Sequence, residues 1–331
     1  MGKNGVIDIH AHYYPQTFLD ALALETGSRG LRYQQGPKGP VIDVGPLHAG
    51  PLEPKFIDLE LRVEAMHAQG VQAQALSLTQ PMVYWAGNRL SAKLSAIFND
   101  ALADAHERYP GHFVGLAMLP MQTPELALAE LERAKSLPGI AGIYMATAIL
   151  DRELSDPVFL PVFERIADLD LPVFLHPLNV IGMQDRLAGY FLSNLLGNPF
   201  DTTIAAAQLV FGGVLDRVKS LSVVLPHAGG ALPYLIGRLQ HGWKVRPECR
   251  HLKQGPRGYL RRFFYDTISH SQESFSFLIN HVGADRVLLG SDYCFDMGIE
   301  QPVESIRSQP GLTQADQDRI CRDNARTLLK L

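Results

Sequence analysis

Five side chains in this sequence have the chemistry to hold one metal ion or move one proton. His10 and His12 stand two apart in VIDIHAHY. In a strand, residues i and i+2 point to the same side, so both imidazoles can reach one point. Asp8 shares that parity; it either lies beneath the pair as a supporting group or caps the strand. His176 closes the run LPVFLH, His227 closes SVVLPH, and Asp292 follows RVLLG in the stretch GSDY. Three imidazoles and one carboxylate suit a single Zn2+ per chain, and Mn2+, Fe2+ or Co2+ accept the same nitrogen and oxygen donors. A catalytic ion keeps one position open for water or substrate. If all five bound the ion little room would remain, so one is expected to be an acid/base group. His227 takes that role, because the glycines of HAGG let the chain pass close to a ligand. An imidazole also titrates near neutral pH. Its alternative role is a fourth nitrogen ligand.

These groups meet only if the strands that carry them end at one face. Segments 6–10, 71–78, 112–116, 139–144, 171–176, 222–227, 263–267 and 286–290 read as strands. Helices are expected over 59–68, 91–108, 124–135, 156–167, 202–216, 273–282 and 315–329. Gly70 is suited to stop the first of these. Strands alternating with helices favour a parallel sheet with crossover connections. Eight such repeats predict an α/β fold of the (β/α)8 barrel type over residues 1–331, with a doubly wound open sheet as its rival. All strand C-termini of a barrel open onto one face, which brings the five groups together. Two segments interrupt the alternation after strand ends. Residues 26–55, rich in Gly and Pro, are expected to form an insertion that acts as lid or pocket wall, and 182–199 a second such loop.

Composition narrows the function. The chain has 331 residues, 46% hydrophobic, with a net charge of −4. That charge and the lack of any Lys or Arg run exclude a nucleic-acid binder. No stretch approaches the ~18 apolar residues of a membrane span, and His10 and His12 interrupt the N-terminal apolar run before a signal sequence could form. Cys249, Cys294 and Cys321 are sparse, odd in number and lack CxxC spacing, which fits a reducing cytoplasm. No GxGxxG or P-loop pattern calls for an organic cofactor.

Taken in order, IDIHAH, FLHP, LPHAGG and GSDY resemble the amidohydrolase superfamily. More narrowly they resemble the aminocarboxymuconate-semialdehyde decarboxylase family. The likeness extends through GVQAQALSL, FVGLAMLPMQTPELA, TTIAAAQLVFGGV and GRLQHGWKVRPEC. The resemblance implies a distorted (β/α)8 barrel with one divalent ion, usually zinc. It implies His10, His12, His176 and Asp292 as ligands and His227 as general acid/base. The fourth strand reads GIYMAT, without the bridging Lys of binuclear relatives, which agrees with one ion. The implied reaction is non-oxidative decarboxylation of a conjugated or aromatic carboxylic acid. The ion lowers the pKa of a bound water and His227 takes or relays its proton. Hydrolysis of an amide or lactone, or hydration of an enoic acid, is the alternative on the same scaffold; a non-catalytic binding barrel is a third reading.

A carboxylate substrate calls for cationic anchors. The family places an Arg in the loop after the first strand; the matching KGPVIDV offers Asp43 instead, with Lys38, His48 or Lys55 as substitutes from that loop. Arg238 and Arg246 match arginines that approach a neighbouring subunit's site in the family, which implies a homodimer. Asn194 stands where the family has a Trp, and Phe295 matches a pocket aromatic. Trp85 and Tyr84, in VYWAG, are expected at the mouth of the site, and Cys294 as a pocket-lining thiol.

Overall fold

Short strands of two to seven residues carry the scaffold of this computed structural model, which describes residues 5–331. The strands are β1 (Ile7–His12), β2 (Ala73–Ser77), β3 (Phe113–Met118), β4 (Ile140–Ala146), β5 (Val173–His176), β6 (Val223–Leu225), β7 (Phe263–Asp266) and β8 (Val287–Leu288). They lie in one sheet in sequence order, and every adjacent pair is parallel. The first and last strands close on each other. Ile9 N–H donates to Leu289 O at 2.9 Å, and Asp292 N–H to His10 O at 2.9 Å. The fold is therefore the expected (β/α)8 barrel. Its strands are buried on both faces, against the barrel interior and the helices. That burial explains why they read as nearly continuous apolar segments.

The helices follow from local signals. Leu59–Gln69 begins where the Asp58 side chain accepts from Glu60 and Leu61 N–H, and ends at Gly70 with φ +72°. Asn88–Arg108 packs on β3, and Pro124–Lys135 packs between it and Leu160–Asp168. The helix expected over 202–216 starts earlier, as Asn198–Phe211, and breaks at Gly212 and Gly213 before the short turn Val214–Arg217. Three helices were not expected from sequence, Gln16–Leu24, Leu232–Val245 and the short Pro302–Arg307.

The segment 26–55 is more ordered than a lid loop needs. Arg32–Gly36, Gly39–Val44 and Leu47–Ala49 form a three-stranded antiparallel sheet. Gly39–Val44 alternates between half-buried and buried positions, and Ile42, Val44, Leu47 and Ala49 face inward. The second interruption ends in a π-type turn, Ser193–Gly197, leading into Asn198–Phe211. Among the described residues, no helix is long and apolar enough to cross a membrane.

Candidate metal centre

The C-terminal strand ends bring His10, His12, His176 and Asp292 together, with one donor atom from each within 4.8 Å of the others. All four are buried. The hydrogen bonds fix which imidazole nitrogen is free. His10 Nδ1 donates to Asp266 Oδ2 at 2.8 Å. His176 Nδ1 donates to Pro177 O at 2.7 Å. Ser77 Oγ donates to Ala11 O, so it accepts from His12 Nδ1, 3.1 Å away. In each neutral ring the Nε2 lone pair is left pointing inward. The Nε2 atoms of His10 and His12 are 3.2 Å apart, and Asp292 Oδ1 lies 3.0 Å from His12 Nε2 and 3.6 Å from His10 Nε2. Acceptor atoms packed this closely are favourable only around positive charge.

The ionisation of the cluster reports the same field. Burial depresses the His12 imidazole to about 4, against the opposing pull of Asp292. Burial and the neighbouring imidazoles hold His176 well below the usual histidine range. His10 goes the other way: burial lowers it, but the Asp266 hydrogen bond and the charges of Asp292, Asp266 and Asp8 together raise it. Burial opposes the Asp292 carboxylate too, yet the His12 bond and the charges of His10, His12 and His227 hold its pKa far below the carboxylate range. Two imidazoles held neutral, a third whose Nδ1 is tied to Asp266, and an ionised carboxylate form the donor set a divalent ion requires. The residues fit a divalent-metal site.

His227 stands apart from the four donors. Its ring centroid is 5.7 Å from that of His10 and 5.8 Å from that of His176. Its Nδ1 is buried and has no hydrogen-bond partner among the described residues. Burial lowers its pKa, only partly offset by Asp266. Its backbone has φ +53°, and Asp292 has φ +60°, so two site residues hold the left-handed conformation unusual for side chains with a Cβ. His227 and Asp292 open together onto a cavity of about 610 Å³, with Asn194 in its wall.

Asp266 escaped the sequence reading. Besides His10 it accepts from His227 N–H at 2.9 Å, Ala228 N–H at 2.7 Å and Ile268 N–H at 3.0 Å. One carboxylate thus orients a metal donor and pins the loop that carries His227. The available signal was its place at the end of the seventh strand, in FFYD. Asp8 also differs from expectation. It touches no imidazole and instead accepts from His10 N–H, Ser291 N–H, Ser291 Oγ and Gln74 Nε2. It ties β1 to the segment after β8. The register of β1 shifts between Asp8 and Ala11, which breaks the simple parity argument.

The substrate-side expectations divide. Phe295 packs its ring 5.4 Å from that of His12. Trp85 and Tyr84 line a different cavity, under the insertion, and not the one holding His227. Asp43 pairs with His48 at 2.7 Å on the insertion sheet, and Lys55 pairs with Glu53. Arg238 and Arg246 are exposed, the latter paired with Glu248, and neither lines the cavity. Among the described residues lining that cavity there is no Lys or Arg. Cys294 is buried, and burial pushes its thiol up to about 11.

Comparison with known proteins agrees with this geometry. The amidohydrolase family model matches residues 7–331. The 2-amino-3-carboxymuconate-6-semialdehyde decarboxylase of Dictyostelium discoideum is 34% identical over 83% of this chain and 77% of its own length. The crystal structure of 5-carboxyvanillate decarboxylase from Sphingomonas paucimobilis superposes with a TM-score of 0.86 at 25% identity, over 99% of each chain. That of a dihydroxybenzoic acid decarboxylase from Polaromonas sp. JS666, with bound manganese and 2-nitroresorcinol, gives 0.82 at 26% identity, over 99% of this chain and 97% of that one. A barrel closed around three histidines and an aspartate, matched along nearly its whole length, belongs to the amidohydrolase family, on the side of its decarboxylases.

Proposed function

We propose that this protein is a metal-dependent, non-oxidative decarboxylase of a conjugated or aromatic carboxylic acid. The observation that carries the reading is that Asp292 of the four-donor site and His227, whose Nδ1 is buried and unpartnered among the described residues, open onto one cavity. His10, His12, His176 and Asp292 would hold one divalent ion. Three nitrogen donors favour zinc, and manganese in a relative makes it the first rival. When bound, the ion supplies Lewis-acid stabilisation of negative charge on a substrate oxygen. The chain does the rest. His227, kept neutral by burial, accepts a proton from water or a substrate hydroxyl in the cavity. The carbon–carboxylate bond breaks, its electron pair stays on the conjugated carbon, and CO2 leaves. His227 then returns the proton to that carbon. Asp266 holds the His227 backbone throughout. Asn194 lines the cavity, and Phe295 packs against the His12 ring.

The same reading gives the protein a reducing, cytoplasmic setting, supported by three unpaired cysteines, and treats residues 1–331 as one barrel domain with 26–55 as its lid. Residues 1–4 of that span lie outside the described structure. It also makes the protein a homodimer, whose second subunit brings Arg238 or Arg246 to a cavity that has no cation of its own. That lack of Lys or Arg, with Glu273 in the wall, favours the uncharged substrates of a second reading, in which an amide or lactone is hydrolysed, or else an enoic acid is hydrated, on the same metal site.

The deciding experiment measures CO2 release by metal-loaded protein from conjugated semialdehyde acids and hydroxybenzoates. The His227→Ala variant is the control. Release that disappears with His227 supports decarboxylation. A fully metal-loaded enzyme that releases no CO2 yet incorporates 18O from water into product supports the second reading.

A further inference from the structure

Ser77 and Tyr144 are buried hydroxyl side chains that the chemistry proposed above does not use. Both stand against the metal donors. Ser77 is the register partner of His12 across β1 and β2. Its carbonyl accepts from Tyr13 N–H at 2.9 Å and its hydroxyl donates to Ala11 O at 3.1 Å, so it grips the chain on either side of His12. Tyr144 projects from β4, with its ring centroid 5.7 Å from that of His176 and 6.2 Å from that of His12. Its hydroxyl completes no well-formed hydrogen bond among the described residues, and its polar neighbour is the Ser77 side chain. A buried hydroxyl in that state is unfavourable, and Phe would fill the same space without it. Packing alone does not account for the oxygen.

His12 gives these hydroxyls a task. A neutral imidazole carries one proton, and here two acceptors compete for it. Ser77 Oγ lies 3.1 Å from Nδ1, and Asp292 Oδ1 lies 3.0 Å from Nε2. A proton on Nε2 would bond Asp292 and take two of the four metal donors out of use at once. A proton on Nδ1 leaves both free, and with an ion held by Nε2 the ring has no other place for it. Ser77 serves as the Nδ1 partner only if its oxygen accepts and stays in position. Ala11 O secures the first condition, because a carbonyl can only accept and so draws the Ser77 proton to itself. The Tyr144 phenol secures the second. It keeps its proton at neutral pH, burial reinforces this, and the remaining lone pair of Ser77 Oγ is the acceptor beside it.

We propose that Ser77 and Tyr144 are positioning residues for the metal. Ser77 Oγ holds His12 in the tautomer that presents Nε2, and Tyr144 holds Ser77 Oγ in place while its ring packs against His12 and His176. Ser77 thus does for His12 with a hydroxyl what Asp266 does for His10 with a carboxylate. The inference rests on the metal site and not on the reaction assigned to it.

The test measures Co2+ binding without substrate, by competition with a chelator and by visible absorption. It compares the full-length parent, Ser77→Ala, Tyr144→Phe and the double variant, with denaturant midpoints of the metal-free proteins alongside. We expect one Co2+ in the parent. Ser77→Ala should bind it about 10–100-fold more weakly, with an altered absorption spectrum. Tyr144→Phe should bind it about threefold more weakly or worse, with a midpoint no lower than the parent's, since only an unsatisfied hydroxyl has gone. The double variant should bind like Ser77→Ala, because Tyr144 acts through Ser77. Should Ser77→Ala fail to fold, Tyr144→Phe alone decides, since a hydroxyl without this role predicts unchanged affinity and spectrum. The proposal is overturned if either folded single variant keeps the parent's affinity and spectrum, or if the two losses add in the double variant. A parent that takes up no Co2+ overturns the metal site itself, and the proposal with it.

Discussion

Asp292 and His227 share one cavity, yet their removal should separate binding from turnover. Asp292 Oδ1 lies within 3.6 Å of two imidazole Nε2 atoms, whereas the His227 ring has no place among the donors. Asp292→Ala is therefore expected to lose the ion on dialysis. His227→Ala should keep a full equivalent and lose turnover. Metal analysis beside rate measurement checks both, and full metal retention with normal rates in Asp292→Ala would sink the ligand assignment. Asp266 offers a subtler test. Asp266→Asn keeps the size and can still accept from His10, but removes the negative charge facing its ring. Metal affinity should fall by about 10–100-fold, measured by competition with a chelator. The difference between these residues also explains what could be read from the sequence. His10, His12, His176, His227 and Asp292 are conspicuous because an imidazole or carboxylate closes or follows an apolar strand. Asp266 does so too, but it hides inside FFYDT, where the apolar pattern extends one residue past it. Its role depends on which backbone N–H groups a neighbouring strand end presents, and no spacing encodes that.

Elements position the site through a buried polar chain that runs below it. Arg62, on Leu59–Gln69, is fully buried. It donates to the backbone carbonyls of His12 and Lys55 and to Gln74 Oε1, and Gln74 donates to Asp8. Asp8 in turn holds Ser291, next to Asp292. The helix therefore grips β1 and, through Asp8, the segment after β8, which together carry three of the four metal donors. Arg62→Ala leaves those acceptors buried and unpaired, and should cost roughly 3 kcal/mol or more of stability. A lower denaturant midpoint at unchanged slope would show it; a midpoint within error of the parent would refute the bracing role. The insertion is the other positioning element. Its sheet was not legible because Gly and Pro dominate the segment, and only the stretch Gly39–Val44 keeps a period of two. Ile42 is nonetheless fully buried. Ile42→Ala should lower stability by about 2–5 kcal/mol without changing metal content. Leu232–Val245 was hidden differently: Pro233 at its start and Gly237 and Gly242 within it read as loop signals, and packing overrides them.

At the scale of the whole molecule, the alternation of strand and helix was legible, because burial on both faces imposes long apolar runs whatever the function. The proposed homodimer carries no such pattern, since an interface would leave only exposed side chains in one chain. Three such residues ring the metal cavity. Tyr234 is 79% exposed, Leu195 45% and Phe277 39%, and all three line its mouth. Exposed apolar surface gathered at an active site calls for a cover. Arg238 lies four residues after Tyr234 on Leu232–Val245, on the same helix face. In the homodimer proposed above, that face would bring one chain's arginine to its partner's cavity and the reverse. A carboxylate substrate would then find its cation across the interface. Two inactive variants test the arrangement. Arg238→Ala retains its own His227, and His227→Ala retains its own Arg238. Co-expressed, they form mixed dimers in which one of two cavities has both residues, and about a quarter of parental activity should return by random pairing. If Arg238 serves its own chain's cavity, no mixed dimer contains a complete site and activity stays at zero.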